Sequence, residues 1–366
     1  MTQSLFVKWI DKYFKGIVVK SVETINGKNS DQALSYLFKT MLRKEYAPTG
    51  KWEAISVLNT RVSADYVAMD SSLPLKRRDS IGKASGDIVK SGMELWLNEK
   101  QLTDLDTMIA QKVNDADIIA KLFQDTPKVI SGIYELNEKS FLEGLSTGVT
   151  VIDDTENVGI GVRMDYGYLN ANKFGVSVLW NNVDAKPLDD IRQALNKAKA
   201  DGNSIAYVYM DDVTFENFAK TTQIKEYFAF SIGFIGNSAI IPVPTLEKIN
   251  TALKADNRYR FQIEIVDRKV INEKNGVRTV VTPWSAGKVI LTNSPQVGVL
   301  AYARLAEQNH PVQGVSYQTA DDYILVSKYR QNKPSLAEFT TSQSRAVPVI
   351  CNVEQIYQID ANIVSA

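Results

Sequence analysis

The residues of this 366-residue chain best equipped for chemistry are few and scattered. Asp211 and Asp212 follow the apolar run Ile205–Met210 and precede the helical spacing of Phe215 and Phe218. A strand-to-helix passage of this kind can present carboxylates to a divalent cation. It equally suits a helix cap, since an aspartate there accepts free first-turn amides and complements the helix dipole. Adjacent residues do not share a helix face, so the cap is the expected role. Asp153-Asp154 and Asp321-Asp322 flank strand-like runs and read as turn or edge charges. His310 is the single histidine, in Asn309-His310-Pro311, and is expected in a surface loop. Cys351 is the single cysteine, within the apolar run Val347–Val353, and is expected to be buried and inert.

One histidine and one cysteine leave too few partners for a Ser-His-Asp triad, a multi-histidine metal site, a cysteine zinc site or an internal disulfide. Gly159-Ile160-Gly161 lacks the third glycine of a dinucleotide loop and no clear helix follows it. No Gly-rich Lys-Ser/Thr phosphate loop occurs, nor the basic and aromatic interleaving of a nucleic-acid platform. We therefore expect no catalytic, cofactor-binding or metal-binding residues, and a chain that is not an enzyme. Forty-two Lys and Arg balance forty-two Asp and Glu. Without a basic surplus, direct DNA binding is not the default, and near-zero net charge removes a barrier to self-association. At 44% hydrophobic and 23% charged residues the composition is that of an ordinary folded chain. No secretory signal is seen in residues 1–20, and no run approaches the roughly 20 apolar residues of a membrane span.

The elements that must position these residues divide the chain into segments. Residues 1–48 read as a helical arm, with Leu5, Phe6, Trp9, Ile10, Tyr13, Phe14, Ile17 and Val18 on one face. That face docks either on a partner or on its own domain, with a membrane surface as a third option. In residues 49–97, Trp52–Val57 and Asp87–Trp96 read as two strands of a projecting hairpin. They are joined by a polar connection carrying Lys76, Arg77 and Arg78, which is either a solvated turn or a contact with acidic groups of an adjacent copy. In residues 98–147, one apolar stripe runs from Leu102 to Phe123 and a second helix from about Pro127 to Ser146, stopped by Gly148. Strands are expected at 158–168 and 174–180. Residues 187–300 read as a compact α/β lobe. It has a helix from Pro187 to Gly202, a strand at 205–210, one helix holding Phe215, Phe218 and Ile224, a strand at 240–243 and a helix at 245–253. Strands at 260–266 and 269–271, a turn at Asn275-Gly276 and strands at 277–281 and 288–292 complete it. Strands return around Tyr317 and at 323–329, 347–350 and 355–359.

This order of segments resembles the major capsid proteins of tailed bacteriophages, in particular the group similar to the lambda head protein, over nearly the whole chain. Three stretches carry the likeness: Asp212–Phe218; Arg260–Val266 with the Asn275-Gly276 hairpin and Pro283–Leu291; and Gln343–Ile350. The resemblance implies an α+β fold with an N-terminal arm (1–48), an extended β-hairpin loop (49–97), a long spine helix (98–148), a peripheral domain (149–186 with 301–366) and an axial α/β domain (187–300). It implies self-assembly into hexamers and pentamers, forming an icosahedral shell around double-stranded DNA held without sequence-specific binding. A portal and separate scaffolding or decoration proteins are the other implied partners, with assembly in the bacterial cytoplasm and no membrane. No scaffolding-like helical segment precedes the arm, so scaffolding is expected from a separate protein, if any. Lys76, Arg77, Arg78, Trp9 and Phe14 are the candidate contacts between subunits. Two other readings stay open: an encapsulin-like cage of the same fold, and a small-molecule-binding α/β enzyme centred on 187–300.

Overall fold

The computed structural model describes residues 2–27, 36–57, 81–152, 161–234, 241–274, 276–332 and 335–365. The chain folds as two units, Met1–Trp52 with Gly86–Lys139 and Val299–Pro348, and Glu53–Ser85 with Ser140–Gly298 and Val349–Ala366. This division differs from the expected domains. Residues 149–186 and 349–366 fall with the 187–298 lobe rather than with 301–348.

In the first unit, α1 (Val7–Ile25) buries Ile10, Phe14, Val18 and Ser21, the i, i+4, i+8, i+11 stripe of a helix packed on one side. Phe14 stacks on Phe123 at 6.1 Å, so the arm helix docks on its own subunit. Leu5 lies off this stripe and is exposed. After α2 (Leu37–Met41) comes β1 (Leu42–Tyr46), an edge strand of a six-stranded sheet. Its other members are β4 (Lys90–Leu97), β13 (Gly298–Tyr302), β14 (Ser316–Ala320), β15 (Ile324–Gln331) and β16 (Ala337–Ile350), in the order β1-β13-β16-β15-β14, with β4 also on β16. β2 (Lys51–Val57) and β3 (Ile81–Asp87) form a separate two-stranded sheet, most of whose residues fall in the second unit. The expected hairpin is therefore present with a different second strand. Asp87–Trp96 is instead mostly β4, whose antiparallel register with β16 runs from Lys90↔Arg345 to Leu97↔Glu338.

The apolar stripe 102–123 is broken into α3 (Glu99–Ala110) and α4 (Asp115–Leu122). Lys112 takes φ +53°, which ends α3. Asn114 then accepts from the Ala116 amide at 3.1 Å and starts α4. α5 (Thr126–Thr147) has the expected span, 22 residues or about 33 Å. Its glycines are close-approach points: a Cβ on Gly132 would meet Met93 of β4, and one on Gly144 would meet Thr150 Oγ1 at 2.6 Å. Gly148, at φ +82°, ends the helix.

The second unit centres on a five-stranded sheet of β7 (Lys173–Val176), β17 (Tyr357–Val364), β12 (Lys288–Thr292), β8 (Tyr207–Met210) and β9 (Gln262–Ile265), in that order. α6 (Pro187–Ala200), α7 (Asp212–Lys220), α8 (Thr222–Ser231) and α9 (Leu246–Ala255) belong to the same lobe. Ile191, Leu195, Phe218, Ile224, Ile249 and Leu253 of these helices share one core with Val208, Val289, Leu291 and Ile359 of the sheet. Pro187 opens α6 with Asp189 and Asp190 in its first turn. The single helix expected around Phe215–Ile224 is two, because Thr221 is extended and its hydroxyl caps the second. Residues 241–243 form no strand. The strands expected at 158–168 and 174–180 are shorter. β5 (Val149–Ile152) pairs with β6 (Val162–Asp165), while β7 joins β17 in parallel. β10 (Val270–Lys274) and β11 (Val277–Val281) form the hairpin expected at Gly276, with Ile271 opposite Val280.

Candidate assembly surface

Of the groups that the sequence singles out for chemistry, Asp211 and Asp321 are spent on holding the fold. Asp211 Oδ2 accepts from the Thr214 amide at 3.1 Å, and Oδ1 accepts from the Thr214 hydroxyl at 2.6 Å and the Gly287 amide at 3.2 Å. It is the cap of α7 and ties that helix to the turn before β12; Asp212 is exposed in the first turn. His310 follows the four-residue α10 (Ala306–Asn309) and is exposed. Cys351 is half-buried rather than buried, because it lies just past the end of β16. Asp153, Asp154, Gly159 and Ile160 lie outside the described residues. Among the described residues no three His, Cys, Asp or Glu side chains group to hold a metal ion, and no helix is long and apolar enough to cross a membrane.

Asp321 is more than an edge charge. It sits with φ +52° in the β14–β15 turn, beside Asp322 at φ +72°. Its Oδ2 accepts from the Tyr134 hydroxyl at 2.9 Å and lies 3.2 Å from Lys39, while Oδ1 lies 3.0 Å from Lys44. The Lys39 ammonium also sits 3.3 Å from the centre of the Tyr134 ring. Burial pushes the Asp321 carboxyl up, but the two lysines and the tyrosine outweigh it and hold it below the usual carboxylate range. Burial pulls Lys39 down. Asp321 thus fastens α2 and β1 to α5. A cleft of about 790 Å³ beside it, lined by Tyr46, Tyr302, Arg304, Glu307, Tyr317 and Asp322 among others, is open and polar.

What the two units leave exposed is apolar surface on extended or terminal elements. In the first unit, Trp96 near the end of β4 is 58% exposed, its ring 6.3 Å from Phe339. In the second, the β10–β11 hairpin puts Ile271 (62% exposed) directly opposite Val280 (66%), with Val277 open on the other face. An isolated two-stranded hairpin is marginal in water, and here the cross-strand pair Glu273–Arg278, at 2.7 Å, helps hold it. Phe230, near the end of α8, is 87% exposed and Ile232 follows it. The Ile271–Val280 pair, adjacent across the hairpin, is the one place among these where exposed apolar side chains are shown side by side.

Of the sequence-derived contact residues, Lys76, Arg77 and Arg78 lie outside the described residues. Trp9 is half-buried and stacks on Tyr13 at 6.0 Å. Phe14 is 1% exposed and occupied by Phe123 of its own chain, so as the chain stands it offers nothing to a neighbour. Sequence reasoning did not single out the exposed Trp96, Ile271, Val280 and Phe230. For Ile271 and Val280 a signal was present in the two strands flanking Asn275-Gly276, which carry valines and an isoleucine at positions of both parities, more than one buried face requires.

No protein-family model and no curated protein matches the chain. Solved structures do. A protein of an Escherichia coli CFT073 prophage, described as a capsid protein, superposes with a TM-score of 0.57 at 13% identity, over 94% of this chain and 98% of that one. A phage-related protein from Bordetella bronchiseptica RB50 superposes with a TM-score of 0.53 at 13% identity, over 96% and 98%. The chain therefore has the phage capsid fold.

Proposed function

We propose that this chain is the major capsid subunit of a tailed bacteriophage: a structural protein that assembles with copies of itself into the head shell enclosing double-stranded DNA. The observation that carries the reading is the fold match, which spans almost the whole of both chains. The exposed apolar residues of β4, β10–β11 and α8 support it, because a shell subunit must keep surface for its neighbours.

Within this reading the subunits form hexamers and pentamers, and each weak contact gains from its repetition around the shell. The β2–β3 loop is the segment that reaches neighbours, with Lys76, Arg77 and Arg78 as contacts, and Trp9 on the arm helix is a further one. A portal closes one vertex, and scaffolding or decoration proteins are separate chains. Balanced charge suits DNA that is pumped into the shell rather than condensed by it. Assembly takes place in the bacterial cytoplasm and the product resides in the virion.

The test is electron microscopy and light scattering of the purified chain, alone and co-expressed with phage head partners. Shells of uniform size are expected. A chain that stays monomeric under every condition would refute the reading, and shells holding an enzyme instead of DNA would assign the same fold to a cargo cage.

A further inference from the structure

We propose that the N-terminal segment, Thr2 through α1, is a strap held on its own subunit over a buried ionic layer, and that it detaches as a unit when Glu338 is charged. The observations lie on one face of the β15–β16 pair. Lys328 stands opposite Thr340 and Arg330 opposite Glu338, and the two-residue period of a strand puts all four side chains on the same face. Ser342, next on that face, donates its hydroxyl to the Val129 carbonyl of α5, so this is the face the helices cover. Lys328 and Glu338 are completely buried there. Lys328 donates to the Leu122 carbonyl at 3.1 Å and the Thr340 hydroxyl at 2.8 Å, and its ammonium sits 5.1 Å from the centre of the Phe123 ring.

Glu338 is covered by the strap itself. The Ser4 side chain and the Leu5 amide approach its carboxylate without closing a hydrogen bond of normal geometry. Phe6 supplies no side-chain cap to α1, and the first turn of that helix holds no acidic residue. The start of α1 thus lacks a cap of its own, and the group of β16 that approaches it is Glu338. Beyond it, Thr2 and Arg330 exchange two backbone hydrogen bonds of 3.1 Å. α2 is fastened in a related way: the Glu138 carboxylate of α5 accepts from the Leu37 and Phe38 amides at 3.0 Å each. The two attachments differ in quality. Glu138 holds its amides with two closed hydrogen bonds, whereas Glu338 holds its own poorly.

The direction of the pH dependence follows. Burial pushes the Glu338 carboxyl up, and Ser4, Lys328, the Leu5 amide and Arg330 only partly oppose this. The other charged group facing this layer is Asp125, which acts on Lys328. With the strap docked, Glu338 therefore holds its proton to a higher pH than it does in water. Raising pH through that range weakens docking, because opening the strap hydrates the carboxylate. Phe14 on Phe123 opposes release and keeps the strap docked at low pH.

Hydrogen exchange read separately for α1 and α5, as protection factors from pH 5 to pH 8, tests this in the full-length chain. We expect α1 protection to fall with rising pH relative to α5, and Glu338→Gln to abolish that relative fall. Retention of the full pH effect in Glu338→Gln, or exchange of α1 in step with α5 at every pH, overturns the proposal. Should Glu338→Gln fail to fold, the wild-type series decides alone: α1 protection that does not change with pH relative to α5 overturns it.

Discussion

Lys328 shows how a residue that reads as surface charge can be an interior one. Burial pulls its ammonium down to about 8, against 10.5 in the unfolded chain. The sign is fixed by where the proton resides. Below pH 8 both states hold it and the cost of burying the charge is fully present. Between pH 8 and about 10.5 the unfolded chain holds more of it, so this group makes stability rise with pH, by up to about 3 kcal/mol. Chemical denaturation at pH 8 and pH 10 should show that rise, and Lys328→Met should remove this component of it. Phe14→Ala leaves a cavity against Phe123 and should cost about 3–5 kcal/mol, measured in the same way. Asp211→Ala loses the cap of α7 and should cost about 1–2 kcal/mol without abolishing shell formation. Loss of shells in that variant with the subunit still folded would give Asp211 a role beyond the cap.

Among the elements, the two hairpins are the parts that carry least of their own stability. The β10–β11 hairpin exposes Ile271 and Val280 side by side, and charging that pair leaves the subunit core untouched. The double variant Ile271→Asp, Val280→Asp should therefore keep the thermal midpoint of the isolated subunit within a few degrees while preventing shell formation, as seen by sedimentation. Replacing residues 60–79 by a two-residue Asn-Gly turn between β2 and β3 should likewise leave a folded subunit that does not close shells. Shells of normal size from that variant would remove the loop from the set of contacts. Helix ends were legible where a short polar residue or glycine marks them, as at Gly148 and Gly202. The break at Lys112 was not, because lysine carries no propensity for a positive φ and the apolar spacing runs through it. The part of β16 before Gln343 was missed for a different reason. Glu338, Thr340 and Ser342 look like a solvated loop, yet each is buried, two of them with partners in the helices or the neighbouring strand.

At the scale of the whole molecule, self-assembly should show a concentration threshold, because contacts that are weak singly become stable only in a closed shell. Light scattering across a dilution series should give an abrupt onset of particles, and a gradual dimer-to-tetramer progression would argue against a shell. The amino-acid sequence by itself determined the scarcity of catalytic groups, the balance of charge, the 22-residue α5 and the order of segments. These are properties of composition and of local period, which need no partner to be read. Tertiary structure alone decided which faces are spent. It placed Phe14 inside its own subunit, buried Lys328 and Glu338 on one face of the β15–β16 pair, and left Trp96, Ile271 and Val280 open. The physical reason is that burial depends on what lies across the sheet or helix. For β16 that covering comes from α5, where Ser342 meets Val129 across a sequence separation of 213 residues.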